Sequence, residues 1–537
     1  MAAPPPSVPR RIGASAPFAG LPWAILLAAF PILALLPPTH PGGIAGATPL
    51  EAQVPTGFAD ATLPGGPSVA TRPVSGLSAE ESVAARARET LELDFAALRI
   101  FRPGHAFWQH VFLIPDGSIA YGSNLDGRLL AVFPTQRNWS DSGRWEEDGL
   151  AQLLRGASLP ANLTQRRERV AELLEPTVGP VLHNATRGRF LLPNAQRYGA
   201  FLAEWGAIYE RFGVPAEIGL AQAILESGLN GTVRSEARAV GFCQWLERNW
   251  DRMKRHAAPV VIEGHNQTTQ APYCAAYLAV LTTKYGSLVP ALSEHHAGGT
   301  NVGRTIINGA RLGGSDMREQ YFLGSELARD LRAMAPGRYS DVVRTYGPRS
   351  FRYAEMVFGN TWTVQKIVRE TPQEPIHAMR AQRNIPLEEV TRRTGLSADQ
   401  VRRYNPALVR QVPRGANLYL PMRVEEFGPD ATFWQRPMDP AYAALLDEFL
   451  RLQVSLEYWD DAPFQSVLDD FRTRFRATAT EEGAVMAAVL GYVMDEARGD
   501  GRPRILAEFR TSPRVQQLFQ EGVRERERTL GSSVEVR

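Results

Sequence analysis

Residues 212–230, FGVPAEIGLAQAILESGLN, hold the carboxyl group best placed for chemistry. Pro215 suits a first helical turn and Gly228 a helix end, so Glu226 falls in the last turn. Ile218, Ala221 and Leu225 share one face there. Apolar neighbours and the negative end of the helix dipole both disfavour an ionised carboxyl group. A carboxyl that stays protonated near neutral pH is what general acid catalysis requires. Gln222, four residues earlier, lies on the same face and is expected to hydrogen-bond Glu226. On spacing alone, however, a Glu at a helix end is more commonly a solvated surface residue. The nearest other carboxylates, Glu217 and Glu236, read as surface charge.

The elements that must position this group come from hydrophobic periodicity. Phe201, Trp205, Ile208, Tyr209 and Phe212 recur at intervals of three and four, the stripe of a buried helix. Helical pattern continues to about Gly359, broken by the loops GGTNVG and NGARLGG. Upstream, VFLI, SIAYGS and RLLAVF are separated by Pro115-Asp116-Gly117 and Asp126-Gly127, which predicts a small β meander with Trp108, Trp139 and Trp145 filling its core. Downstream, LEEVTRRTG and ADQVRRYNP followed by Leu418-Tyr419-Leu420-Pro421 predict two short helices and a strand. From Asp439 onwards the pattern is that of amphipathic helices. The expected fold class is mainly α and multidomain.

Arg10 and Arg11, the apolar run Leu21–Leu36 and Ala45-Gly46-Ala47 form an export signal. The run is shorter than the about 20 residues of a spanning helix, so cleavage near Ala47 is expected. The domain expectation is a signal peptide at 1–47 and a Pro/Gly-rich flexible linker at 48–88. A β-containing domain at 89–193 and an α-rich domain at 194–360 follow, then a small module at 361–424 and a helical region at 425–537. With 59 basic against 57 acidic residues, the net charge is +2 and no large basic field invites nucleic acid. Cys243 and Cys274 are the only cysteines, and their 31-residue spacing fits either a disulfide or two buried thiols. Glu294-His295-His296 contains metal-ligand types, but neighbouring residues rarely converge on one ion. No metal and no cofactor are expected.

The run ILESGLN, then Ser235, then Ala239-Val240-Gly241-Phe242-Cys243-Gln244-Trp245 resembles the signature of the lytic transglycosylases, which share a lysozyme-like fold with goose-type lysozymes. The resemblance implies that Glu226 is the catalytic acid, with Ser227 beside it, and that Gly241-Phe242-Cys243-Gln244 lines a saccharide cleft. Tyr321 in MREQYF corresponds to the family's further aromatic. Where the family reads Ala-Tyr-Asn-Ala-Gly, this chain reads Glu294-His295-His296-Ala297-Gly298, so His295 and His296 take the places of Tyr and Asn. The implied substrate is the peptidoglycan glycan strand, cleaved between N-acetylmuramic acid and N-acetylglucosamine with closure of a 1,6-anhydro ring. If water attacks instead, the same site is a muramidase. A site altered by the two histidines could also leave a cell-wall-binding scaffold without activity. The implied location is the periplasm or cell envelope, where wall or secretion machinery proteins would be partners. Asn266-Gln267-Thr268-Thr269-Gln270 offers groups that read sugar hydroxyls, or else a helix cap. Ile376–Pro421 resembles a LysM module, a βααβ fold that binds N-acetylglucosamine-containing glycans; its usual Gly-Asp-Thr is replaced by Arg383-Asn384-Ile385-Pro386.

Overall fold

The computed structural model describes residues 76–135, 143–147, 149–334, 337, 350–452, 462–499 and 501–530. The expected export signal, the linker up to residue 75 and Trp139 lie outside the described residues. Residues 79–88, expected in the linker, instead begin helix α1 (Ala79–Phe101). Ser78 and Glu81 form a reciprocal capping box, and Val83, Leu91 and Leu98 are buried along the helix. That cap and spacing outweigh the Ala- and Arg-rich composition that suggested a tether. VFLI is likewise helical rather than extended, most of it lying in α2 (Trp108–Leu113). A short apolar run reads the same in a buried strand and a buried helix, and Trp108, Val111 and Phe112 bury one helical face.

SIAYGS and RLLAVF are strands as expected, but Arg144–Trp145 and Val181–Ala185 complete the sheet in place of VFLI, and Trp108 is buried in the main helical core rather than the sheet's own. Strands β1 (Ser118–Ser123), β2 (Leu129–Pro134), β3 (Arg144–Trp145) and β4 (Val181–Ala185) form an antiparallel sheet in the order β3-β2-β1-β4. Helix α3 (Leu163–Val178) covers one face, and Ile119, Tyr121, Leu130, Val170 and Leu174 make a core of their own.

The helices that build the site come next: α4 (Gly188–Tyr198), α5 (Leu202–Glu210) and α6 (Ala216–Ser227). A two-stranded ribbon of β5 (Ala239–Val240) and β6 (Trp245–Leu246) leads into α7 (Glu247–Ala257). Then follow α8 (Gln267–Tyr285), α9 (Leu288–Ala297), α10 (Gly299–Arg311), α11 (Met317–Met334), α12 (Ser350–Gly359) and α13 (Thr361–Glu370). Helix α8 is buried along nearly its whole length and acts as the axis on which α5 and α9 pack. The aromatic stripe predicted from Phe201 to Phe212 is buried throughout.

The next module runs β7 (His377–Arg380), β8 (Ile385–Pro386), α14 (Leu387–Thr394), α15 (Ala398–Tyr404), β9 (Gln411–Val412) and β10 (Asn417–Leu420). Strands β7 and β10 pair antiparallel, giving the predicted strand, two helices and strand around Met379, Ile385, Val390, Val401 and Leu418. It is not a free appendage. Tyr404 and Tyr419 join the core of the central helices, and the Tyr419 hydroxyl is 2.9 Å from Thr269 Oγ1 on α8.

The tail comprises α16 (Pro440–Leu450), α17 (Ala462–Ala477), α18 (Glu481–Gly499), α19 (Arg502–Thr511) and α20 (Pro513–Leu530). Met486, Leu490 and Met494 of α18 belong to the same hydrophobic core as Ile218 and Leu278. Helix α18 is accordingly enclosed between α7, α8 and α17. At the other end of the tail, Ser82 Oγ of α1 donates to Asp447 Oδ1 of α16 at 2.9 Å. The described chain is mainly helical, and no described helix is long and apolar enough to cross a membrane.

Candidate active site

Glu226 ends α6, where Gly228 takes a left-handed conformation (φ 57°) as the helix cap. This lets the chain turn immediately after the carboxyl group. The Glu226 side chain retains 15% exposure, enough to be reached from outside. Its Oε1 accepts a 2.5 Å hydrogen bond from the hydroxyl of Tyr353 on α12. Burial pushes its pKa up to about 7, against the lowering effect of the Tyr353 bond. The carboxyl group is therefore divided between its protonated and ionised forms near neutral pH, and burial is what raises it.

His295, in the last turn of α9, approaches the same oxygen from another side, with Nε2 3.7 Å from Glu226 Oε1. That nitrogen is 2.9 Å from the Cys243 carbonyl oxygen. A carbonyl only accepts, so Nε2 carries the hydrogen. Nδ1 receives the indole N–H of Trp245 at 3.4 Å, which is consistent with that tautomer. Burial holds the imidazole down to about 4 despite the bond to Cys243, so the ring is neutral at pH 7. His296 has a different place: its ring stacks on Tyr353, centroids 4.4 Å apart and planes 5° from parallel. The two adjacent histidines thus bracket the group that holds Glu226.

The segment after α6 is braced rather than open. Cys243 and Cys274 form a disulfide with Cα atoms 6.2 Å apart, tying this loop to α8. Ser227 Oγ is fully buried and donates to the Phe242 carbonyl at 2.9 Å, which locks the loop onto the end of α6. Its hydroxyl is thus committed to backbone carbonyls inside the fold. Gln244 adopts φ 51°, and its Nε2 binds the carbonyls of Val233 and Gly241 at 2.9 and 3.0 Å. Gln222 does not hold the Glu226 carboxyl as expected. Its side chain, 1% exposed, lies instead beside the Tyr353 hydroxyl, because Tyr353 already occupies the space in front of Glu226.

Tyr321 is also displaced from its expected role. It is 3% exposed and its hydroxyl accepts from Ser293 Oγ at 2.7 Å, inside the core against α9. Tyr353 is the aromatic at the carboxyl group. The sequence reading missed it because YAEMVF looks like any buried helical stripe. Asn266 to Gln270 proves to be a helix start: Asn266 caps α8, Thr268 receives the Trp205 indole N–H, and Gln270 receives the Phe242 N–H.

Glu294 turns away from Glu226 into a buried ion cluster. Lys284 Nζ and Arg502 Nη1 reach its two oxygens at 2.9 and 3.0 Å, and Tyr285 donates to it as well. Burial works to raise its pKa, but Lys284 and Arg502 outweigh that and hold it at about 2. Among the described residues no group of three His, Cys, Asp or Glu could hold a metal ion. Glu217, the nearest carboxylate along the same helix, is in its first turn, about 13 Å away at 1.5 Å per residue. Glu236 is exposed. The site therefore offers one carboxyl group whose pKa is raised towards neutrality, held by one hydrogen-bond donor, Tyr353, beside a neutral imidazole, which is equipment for proton donation followed by proton recovery. No protein-family model matches the sequence, and no curated protein matches it.

Proposed function

We propose that this protein is a lytic transglycosylase that cleaves peptidoglycan glycan strands with Glu226 as the only catalytic carboxyl group. The observation that carries the reading is a buried Glu226 with pKa about 7, held by Tyr353, at the end of the helix whose sequence resembles that family. A single carboxyl group suffices because no water needs a second base. Glu226 gives its proton to the oxygen between N-acetylmuramic acid and N-acetylglucosamine as the C1–O bond breaks. The acetamido carbonyl of the muramoyl sugar stabilises the positive charge at C1. The 6-hydroxyl then attacks C1, and its proton returns to Glu226, leaving a 1,6-anhydro ring.

Between these steps Glu226 is an anion. Tyr353 O–H donates to it, stabilising the charge while it exists, and the neutral His295 ring lies 3.7 Å away with its Nε2–H on the Cys243 carbonyl. The rest of the proposal follows the sequence: an exported chain whose βααβ module resembles LysM and would hold the glycan near the lysozyme-like helices. Digestion of purified peptidoglycan followed by mass analysis of the released fragments tests it. Anhydro-ended fragments from wild type and none from Glu226→Gln are expected. Reducing-end fragments would make the enzyme a muramidase, and no release by the wild type would reduce it to a wall-binding scaffold.

A further inference from the structure

We propose that the C-terminal helices complete the site: Tyr492 on α18 and Arg502 on α19, together with Trp245 between the site and the tail, are positioning residues that hold the neutral His295 ring against Glu226, with Nε2 3.7 Å from the carboxyl oxygen and its hydrogen on the Cys243 carbonyl. The inference rests on the glycan-cleavage reading for what Glu226 does. Trp245 is 4% exposed, and its indole ring is stacked on Tyr492 with centroids 5.5 Å apart and planes 30° from parallel. Trp250 and Tyr277 close two other sides at 4.8 Å each. The only polar atom of this indole points at His295 Nδ1. At 3.4 Å that bond is long, so packing rather than bond strength must fix its direction. A donor at Nδ1 selects the tautomer with hydrogen on Nε2, the nitrogen that faces Cys243 and Glu226. Tyr492 is 1% exposed and cannot leave the indole without opening the core.

Arg502 acts on the backbone of the same turn. Glu294 precedes His295 on α9, and its anchorage to Arg502 and Lys284 fixes the turn that carries the imidazole. The approach of Arg502 depends on Gly299: a Cβ there would lie 2.7 Å from the guanidinium and 2.4 Å from Glu294 Oε1. The charged and titratable groups around His295 and its supports are Glu226, Tyr353 and Tyr277, with Glu496 and Arg252 beyond Tyr492.

Nitrogen NMR of histidine-labelled full-length protein reads the link directly, with His295→Gln identifying the signal. Wild type and Tyr492→Phe, which keeps the stack, are expected to show one tautomer with a proton on Nε2 only. Tyr492→Leu is expected to show averaged signals, with kcat about tenfold lower, KM within twofold of wild type and no further loss when combined with His295→Gln. Trp245→Phe removes the N–H along with one ring and is expected to shift part of the population to the Nδ1 tautomer, the Cys243 carbonyl holding the rest on Nε2. An unchanged His295 signal in both Tyr492→Leu and Trp245→Phe overturns the proposal, as does an equal loss of kcat with and without His295. If Tyr492→Leu does not fold, Trp245→Phe decides alone. If the wild type cleaves no glycan, the glycan-cleavage reading fails while the NMR result still judges the positioning link.

Discussion

The Tyr353 hydroxyl lies 2.5 Å from Glu226 Oε1 while the ring of the same tyrosine is stacked face to face on His296. The stack fixes the phenol, and the phenol fixes the carboxyl group. Because the hydrogen bond stabilises the carboxylate, its removal raises the Glu226 pKa further above 7. Tyr353→Phe should therefore move the alkaline limb of the kcat profile to higher pH. It should also lower kcat at the optimum by about 10- to 100-fold, within the range for acid–base positioning. A pH–rate series on soluble glycan fragments checks both.

Wild-type activity should occupy a window between about pH 4 and pH 7. Above 7 Glu226 loses its proton, and below 4 His295 gains one and places a positive charge beside the acid. The stability signs agree at the acid end. His295 has a folded pKa below its unfolded value, so stability drains as pH falls from 6.5 towards 4. Glu294 adds a further loss from 4.5 towards 2. Rate and melting temperature measured across the same buffers would separate inactivation from unfolding.

Glu226→Gln should abolish turnover, by about 10²–10⁴-fold, and yet stabilise the protein at alkaline pH. The folded pKa of Glu226 exceeds its ordinary value of 4.5, so the folded state is favoured most below 4.5 and loses that advantage as pH rises through 7. The difference is on the order of 3 kcal/mol, at about 1.4 kcal/mol for each pH unit. A variant more stable than wild type at pH 8 and equal to it at pH 4 is the expected result in thermal melts.

Loss of the Cys243–Cys274 disulfide closes no loop in the unfolded chain. For a separation of 31 residues the chain-entropy cost is about 3–4 kcal/mol. Cys243→Ser with Cys274→Ser should unfold at correspondingly lower urea concentration. Its residual activity should fall more than its stability under native conditions explains, because the Cys243 carbonyl orients His295.

What the chain reveals before folding divides along physical lines. Glu226, the helix that carries it and the glycine that ends it were legible because periodicity and capping are local. The two short helices and closing strand of the next module were legible for the same reason, whereas its opening strand β7 came only from the LysM resemblance. Tyr353 was not: it reaches Glu226 across 127 positions, and no local pattern encodes that meeting. Ser227 and Gln244 were read as lining a saccharide cleft, but their side chains bind backbone carbonyls. Residue type announces a capacity for hydrogen bonding, and only the fold decides whether a neighbouring carbonyl has already taken it. The strand expected at VFLI failed for a third reason, that four apolar residues are too few to show a period.

The bond between Ser82 and Asp447 joins positions 365 residues apart, and Asp94 on the same helix holds Ser287 and the Leu288 N–H at the start of α9. Helix α1 is thus a clasp between the tail and the helix that bears both site histidines. Contacts of such span are entropically costly to close and tend to form after local ones. Seating of the start of α1 then depends on the tail: a chain cut before residue 447 has nothing for Ser82 to grip. Amide hydrogen exchange would register this as weaker protection at the start of α1 when the chain is shortened to end before residue 447.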